Sequence, residues 1–133
     1  MSKSQAEHNE EVCKYLHKAN KYPDWVISSA FYSAIHYIDC CLFPDAYTMP
    51  NGHTKNCHSI DDYYNKSNQR IKMHQIRMHL VEDNFDKIAN SFKWLLEQSF
   101  QLRYRNYLAS PDEAEIAIKY LKEIKDFFTE NQK

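Results

Sequence analysis

Apolar residues recur every three or four positions through most of the chain, and this spacing predicts helices rather than strands. The clearest stripe follows Pro23, which is tolerated in the first turn of a helix, and it ends before the pair Phe43-Pro44. Its apolar members are Ile27, Phe31, Ile35, Ile38 and Leu42. Small residues beside this stripe, such as Ser33 and Ala34, would let a neighbouring helix approach closely. The sequence therefore predicts one long amphipathic helix over this segment.

Further helices are predicted by the same periodicity together with local start and stop signals. Ser67 is the predicted N-cap of one of them. Ser110, Pro111 and Glu113 form a capping box with proline at the first helical position, which marks the start of the last helix. The approximate bounds are 5–19, 68–82, 84–107 and 110 onward, with a short helix over 59–64. Helices with short connections pack as an up-down bundle, so the predicted fold is all-α with four to five helices.

Length and composition favour a single domain over residues 1–133, because a chain of 133 residues is large enough for one core. The chain has one glycine and four prolines, and so few helix breakers favour long helices. Pro44, Pro50, Asn51 and Gly52 punctuate the longest stretch without helical periodicity. Residues 44–57 are therefore predicted to form a long irregular loop, a kind of segment that is often functional.

The polar N-terminus lacks the apolar stretch of a signal peptide, and no apolar run is long enough to cross a bilayer. We therefore expect a cytoplasmic protein without membrane contact. The four cysteines contain no Cys-x-x-Cys pair. His53, Cys57 and His58 are close in sequence, but a zinc site would need a fourth ligand. We predict neither a metal nor a cofactor.

A polar face runs along the long helix that begins at Pro23. Tyr32, His36 and Asp39 recur on it at helical spacing. Tyrosine and histidine combine an apolar body with a polar tip, so a packed polar seam between helices is the simpler interpretation. Direct catalysis by His36 is the alternative, although no pair of nucleophile and base is evident.

A second group of polar residues is cationic, and it comprises Lys66, Arg70, Lys72, His74, Arg77 and His79. Three of its members, Arg70, His74 and Arg77, lie on one face of the predicted 68–82 helix. If the next helix runs antiparallel, its end lies beside them with Arg103, Tyr104, Arg105 and Tyr107. Cations beside tyrosines suit a phosphate backbone with base stacking. Alternatively, Arg77 pairs with an acid on a neighbouring helix and the other cations are solvated.

Three stretches, taken together and in this order, resemble the HEPN superfamily, in particular small bacterial members of unassigned function. They are residues 31–37, residues 74–81 and residues 92–107, and the resemblance covers roughly residues 10–128. It implies a helical bundle that often dimerises. It also implies ribonuclease activity in many members, which occur as toxins or in phage defence, often beside a nucleotidyltransferase antitoxin.

The resemblance further implies an active site made of an arginine, a polar residue and a histidine after four to six intervening residues. Arg105 and Asn106 begin such a motif, but Ser110, Pro111 and Asp112 occupy the positions where histidine is expected. A serine hydroxyl cannot replace histidine as an acid–base group near pH 7, because it does not titrate there. Enzymatic activity is therefore left open.

The sequence predicts a HEPN-like module that binds RNA, a nucleotide or a protein partner, in a toxin–antitoxin or defence context. The predicted ligand-binding residues are Arg70, His74, Arg77, Arg103, Tyr104, Arg105 and Tyr107. One alternative is a ribonuclease with a non-standard site that uses His74 or His36. Another is a purely structural interaction module. The expected partners are a second copy in a homodimer and an antitoxin-type protein.

Overall fold

The computed structural model describes residues 2–104 and 108–131. In this part of the chain, six α-helices and one two-stranded hairpin follow one another. The bounds are α1 Ser2–Lys18, α2 Pro23–Leu42, β1 Asp45–Thr48, β2 Thr54–Cys57, α3 Ile60–Ser67, α4 Met73–Asn84, α5 Asp86–Tyr104 and α6 Pro111–Asn131. None of the helices in the described ranges is long and apolar enough to cross a membrane.

Helix α2 lies at the centre of the fold and packs against α1, α5 and α6. Its predicted apolar stripe is confirmed, because all five members are buried: Ile27, Phe31, Ile35, Ile38 and Leu42. The small residues Ala30, Ser33 and Ala34 are also buried, so neighbouring helices approach closely. Apolar burial of this extent is the main contribution to the stability of such a bundle.

Helices α1 and α2 are antiparallel neighbours, as the short turn between them predicts. The Cys13 thiol donates to the Val26 carbonyl oxygen over 3.4 Å. Further along, the Ser33 hydroxyl donates to the Ala6 carbonyl oxygen over 2.7 Å. Residue numbers fall along α1 as they rise along α2, so the two helices run in opposite directions.

The segment predicted as an irregular loop instead contains a β-hairpin. Strand β1 pairs with β2 in antiparallel register, from Asp45 opposite Cys57 to Thr48 opposite Thr54. Gly52 closes the turn with a φ of 88°, a value that suits glycine. The prediction was wrong because the same proline, asparagine and glycine residues that break helices also favour a hairpin turn.

The prediction for the next helices also needs correction. Ser67 is the last residue of α3, not the N-cap of the following helix. Asn68 takes a left-handed conformation with a φ of 54° and ends α3, so α4 begins only at Met73. The N-cap of α3 is Ser59, whose hydroxyl accepts from the backbone N–H of Asp62 over 3.1 Å. Arg70 therefore lies in a connection and not on a helix.

The capping box at the start of α6 is confirmed. The Ser110 N–H donates to the Glu113 carboxylate over 2.9 Å, and the Glu113 N–H donates to the Ser110 hydroxyl over 3.2 Å. The preceding helix, α5, begins at Asp86 rather than at residue 84, and it is described up to Tyr104. Residues 105–107, predicted as the end of that helix, lie outside the described residues.

Candidate functional site

A buried ion pair joins α2 to α4. The Arg77 Nε donates to Asp39 Oδ1 over 2.8 Å, and the Arg77 Nη2 donates to Asp39 Oδ2 over 3.0 Å. The Arg77 side chain is only 4% exposed, so its charge needs this partner. The predicted pairing of Arg77 with an acid on a neighbouring helix is therefore confirmed. The other half of that alternative is wrong, because His74 is half-buried against Arg77 rather than solvated.

The remaining terminal nitrogen of Arg77 fixes the state of His74. The Arg77 Nη1 lies 2.8 Å from the His74 Nδ1. A guanidinium only donates hydrogen bonds, so Nδ1 accepts and the neutral ring carries its proton on Nε2. Burial, reinforced by the charges of Arg77 and Arg103, lowers the pKa of His74 to about 4. At neutral pH, His74 is therefore an uncharged donor through Nε2.

Arg103 lies at the end of α5 and is exposed. Its guanidinium lies 5.8 Å from the centre of the Phe31 ring and 5.5 Å from that of the Tyr104 ring. The Arg103 Nε also donates to the Ser99 carbonyl oxygen over 3.3 Å. These contacts hold the guanidinium against the buried Phe31 ring and the exposed Tyr104 ring, while Arg103 itself stays exposed and can still meet an anion.

Phe31 is the ring at which the three helices meet. The His74 ring packs edge-on against it with centroids 5.4 Å apart, and Arg103 approaches it from α5. Tyr32 lies beside it at 5.4 Å, and Phe92 stacks on it at 6.1 Å. The structure thus brings His74 and Arg103 together, as the sequence predicts. We call the set Asp39, His74, Arg77 and Arg103 the arginine–histidine cluster.

The predicted polar seam of α2 belongs to the same place. Asp39 is a member of the cluster, and Tyr32 is 38% exposed beside Phe31. The His36 Nδ1 is buried and has no hydrogen-bond partner among the residues that the structure describes. Burial lowers the pKa of His36; the Asp39 carboxylate opposes this shift and the charge of Arg77 adds to it. The side chains of the two separate sequence predictions therefore lie close to one another, around Phe31 and Arg77.

Nearly the whole chain matches one protein family. The HEPN domain family matches residues 1–132. The chain belongs to the HEPN domain family. No curated protein and no solved structure matches it. The resemblance read from the three sequence stretches is therefore confirmed, and this family is often linked to RNA-related and toxin–antitoxin functions.

The remaining predicted site residues of this HEPN protein fall in different places. Arg70 is exposed in the connection before α4, and no described contact joins it to the arginine–histidine cluster. Tyr104 is 66% exposed and packs beneath Arg103. Arg105 and Tyr107 lie outside the described residues. Among the residues with described positions, no group of three or more His, Cys, Asp or Glu side chains could hold a metal ion.

Sequence reasoning missed the role of Phe31, which the apolar periodicity placed in the core like any other stripe member. It is indeed fully buried, yet its ring contacts both His74 and Arg103. The sequence also could not match Arg77 to Asp39, since the two residues are 38 positions apart. Helical spacing on α2 and α4 limits which acids can face Arg77, but only the packing of the two helices decides that its partner is Asp39.

Proposed function

We propose that this HEPN protein binds RNA, with the arginine–histidine cluster contacting a backbone phosphate. The observation that carries the proposal is the convergence of two different donors at Phe31. The exposed Arg103 guanidinium supplies a charge, and the His74 Nε2–H supplies a neutral hydrogen bond. Arg77 is neutralised by Asp39, so the anion would be bound chiefly by Arg103.

Exposed tyrosines beside the cluster support a polynucleotide rather than a small anion. Tyr104 packs against the Arg103 guanidinium and is 66% exposed, and Tyr32 is 38% exposed beside Phe31. Bases of a single strand stack on such rings, and this stacking tolerates any sequence. We therefore expect single-stranded RNA to bind with little sequence preference.

The geometry favours binding over the ribonuclease alternative. An acid–base histidine needs either a nitrogen that can accept a proton or a populated imidazolium form. In His74, Nδ1 already accepts from Arg77 and Nε2 carries the proton, while the low pKa of about 4 keeps the imidazolium form scarce at pH 7. His74 is therefore a poor proton-transfer group in this arrangement. In His36 the Nδ1 is likewise buried, so only its other ring nitrogen is left for proton transfer.

The test is a titration of the protein against a fluorescein-labelled 15-nucleotide single-stranded RNA, followed by anisotropy at several salt concentrations. Arg103→Gln should weaken binding and lower the salt slope by about one ion. Lys93→Gln, which removes an exposed cation from the same helix, should leave the affinity close to wild type. Competition by unlabelled ATP distinguishes a nucleotide site from an RNA site.

Two results would contradict the proposal. One is a wild-type protein without measurable RNA affinity at about 50 mM salt, where phosphate contacts are strong. The other is an equal loss of affinity in Arg103→Gln and Lys93→Gln, which would indicate diffuse charge attraction instead of a site. The homodimer, the antitoxin-type partner and the cytoplasmic location stay predictions.

A further inference from the structure

A continuous chain of hydrogen bonds runs from Asp39 on α2 to Arg77 and His74 on α4. Asp39 accepts from two nitrogens of Arg77 over 2.8 and 3.0 Å, and the third nitrogen reaches His74 over 2.8 Å. The middle member, Arg77, is almost completely buried. Asp39 itself has no described contact with Arg103, so it can act on a ligand there chiefly through Arg77 and His74.

We propose that Asp39 is a positioning residue for RNA binding, which orients Arg77 and thereby fixes the tautomer and direction of the His74 ring. The effect on binding rests on the proposed function, whereas the effect on the His74 ring does not. Asp39 therefore strengthens the capture of an anion, although it carries a negative charge itself.

The planar shape of the Arg77 guanidinium explains how the Asp39 carboxylate can fix the orientation and the tautomer of the His74 ring. Its nitrogens form a rigid fork, so pairing two of them with one carboxylate leaves the third pointing in a defined direction. In Arg77 this third nitrogen meets the His74 Nδ1. Without the Asp39 carboxylate, the Arg77 guanidinium has no hydrogen-bond partner on α2, and its Nη1 is no longer kept in place to donate to the His74 Nδ1. The ring could then carry its proton on either nitrogen.

The charged and titratable groups around His74 come from all three helices. Arg77 belongs to α4 and Arg103 to α5, and both charges disfavour the imidazolium form. Asp39 and His36 lie on α2. Asp39 accepts a hydrogen bond from Arg77, and His36 interacts electrostatically with both Asp39 and Arg77. By simple charge attraction, removal of the Asp39 charge should make an anion bind more tightly. A positioning role predicts the opposite sign, so the two explanations can be separated.

The first experiment uses the protein without any ligand. Nitrogen NMR of the protein labelled with ¹⁵N-histidine should show His74 as the Nε2–H tautomer between pH 6 and 8. Asp39→Asn should convert this signal to a mixture of both tautomers. Asp126→Asn is the matched control, because it removes an exposed carboxylate that pairs with Lys122 over 2.8 Å on α6. A wild-type His74 protonated on Nδ1 would overturn the proposal.

The second experiment repeats the titration with the labelled 15-nucleotide RNA. Asp39→Asn should weaken the affinity about fivefold, the effect of one lost hydrogen bond, with an unchanged salt slope. Asp126→Asn should bind like wild type. An affinity of Asp39→Asn equal to or tighter than wild type would overturn the positioning role. Failure of the wild type to bind RNA would overturn the proposed function and the effect of Asp39 on RNA binding, whereas the NMR result on the His74 tautomer would stand independently.

A second variant keeps the test informative if Asp39→Asn does not fold. Arg77→Lys retains a positive charge opposite Asp39, but a single ammonium cannot hold both carboxylate oxygens and the His74 Nδ1 in the same geometry. We expect the same mixture of His74 tautomers in this variant. A single Nε2–H tautomer in folded Arg77→Lys would overturn the proposal.

Discussion

Two networks of buried charge are anchored on α2, and they are built in opposite ways. In the first, the buried group is an acid: Glu10 of α1 is 7% exposed. Its carboxylate accepts from the Tyr37 hydroxyl over 2.7 Å, from Lys125 over 3.0 Å and from Lys14 over 3.2 Å. Burial raises the pKa of Glu10, but these three hydrogen bonds outweigh it and the net shift is downward. We call this network closed, because the buried carboxylate is fully balanced by partners within it, although the two lysines reach the surface.

In the arginine–histidine cluster, the buried group is the cation Arg77. Among the residues that the structure describes, its network ends at the partly exposed His74 ring near the exposed Arg103, and we call it open for that reason. The neighbouring His36 also has a buried Nδ1 that no described residue satisfies. A closed network suits a role in holding helices together, whereas an open one leaves polar groups for a ligand. The Glu10 network is therefore the better candidate for a structural role, and the arginine–histidine cluster is the better candidate for a binding site.

The largest expected effect comes from removing the acid of the open network. Asp39→Ala leaves the Arg77 charge buried without a partner, which should lower the free energy of unfolding by about 3–5 kcal/mol. Urea denaturation followed by circular dichroism measures this loss. The double variant Asp39→Ala, Arg77→Met should recover most of it, because no unpaired charge remains. A loss below about 1 kcal/mol in the single variant would show that Arg77 reaches water.

The counterpart in the closed network is Glu10→Ala. It strands the Tyr37 hydroxyl, while Lys125 and Lys14 can turn to solvent because they are 39% and 66% exposed. We expect a smaller loss of about 1–3 kcal/mol and an unchanged affinity for RNA. A change in RNA affinity without unfolding would contradict the division into scaffold and site.

Helical periodicity was sufficient to predict much of the fold. The bounds of α2 and the start of α6 follow from local signals, Pro23 in one case and the Ser110 capping box in the other. The hairpin over 45–57 was missed because its short strands carry no long periodic pattern, and the same turn residues also mark irregular loops. The start of α4 was misplaced because the left-handed turn at Asn68 leaves no mark in apolar spacing.

The site was predicted less completely than the fold. The sequence indicated both polar faces, on α2 and on the cationic segment, because helical spacing groups residues on a face. It could not show that Phe31 joins the faces, since that depends on how α2, α4 and α5 cross. Arg70 was assigned to the site by spacing on a helix that does not exist there.

We expect a medium effect of pH on the free energy of unfolding, because the open network contains His74 and the closed network contains no histidine. Its pKa in the folded protein is about 4, below the ordinary value of 6.5, so between these values the unfolded chain binds more protons. Lowering the pH through this window therefore favours unfolding. We expect His74 to account for about 1–2 kcal/mol of the loss, less than the full shift because the ring is partly exposed.

The measurement is urea denaturation of wild type and His74→Gln at several values between pH 7 and pH 4. As the pH falls, wild type should lose more unfolding free energy than His74→Gln, because only wild type has the His74 ring to protonate. His79→Gln, an exposed histidine on the same helix, serves as the control. A constant difference between wild type and His74→Gln would mean that the pKa of His74 is not lowered in the folded protein.

The smallest effect compares two serines that are both fully buried. Near the closed network, the Ser33 hydroxyl donates to the Ala6 carbonyl oxygen over 2.7 Å. Near the open one, the Ser99 hydroxyl has no partner among the described residues. Ser33→Ala loses a hydrogen bond and should destabilise by about 1 kcal/mol, whereas Ser99→Ala removes an unsatisfied group and should be neutral or stabilising by up to about 1 kcal/mol. Thermal unfolding of both variants measures the sign. Equal destabilisation would mean that Ser99 is as well satisfied as Ser33, and the contrast between a closed and an open network would then be weaker on α5.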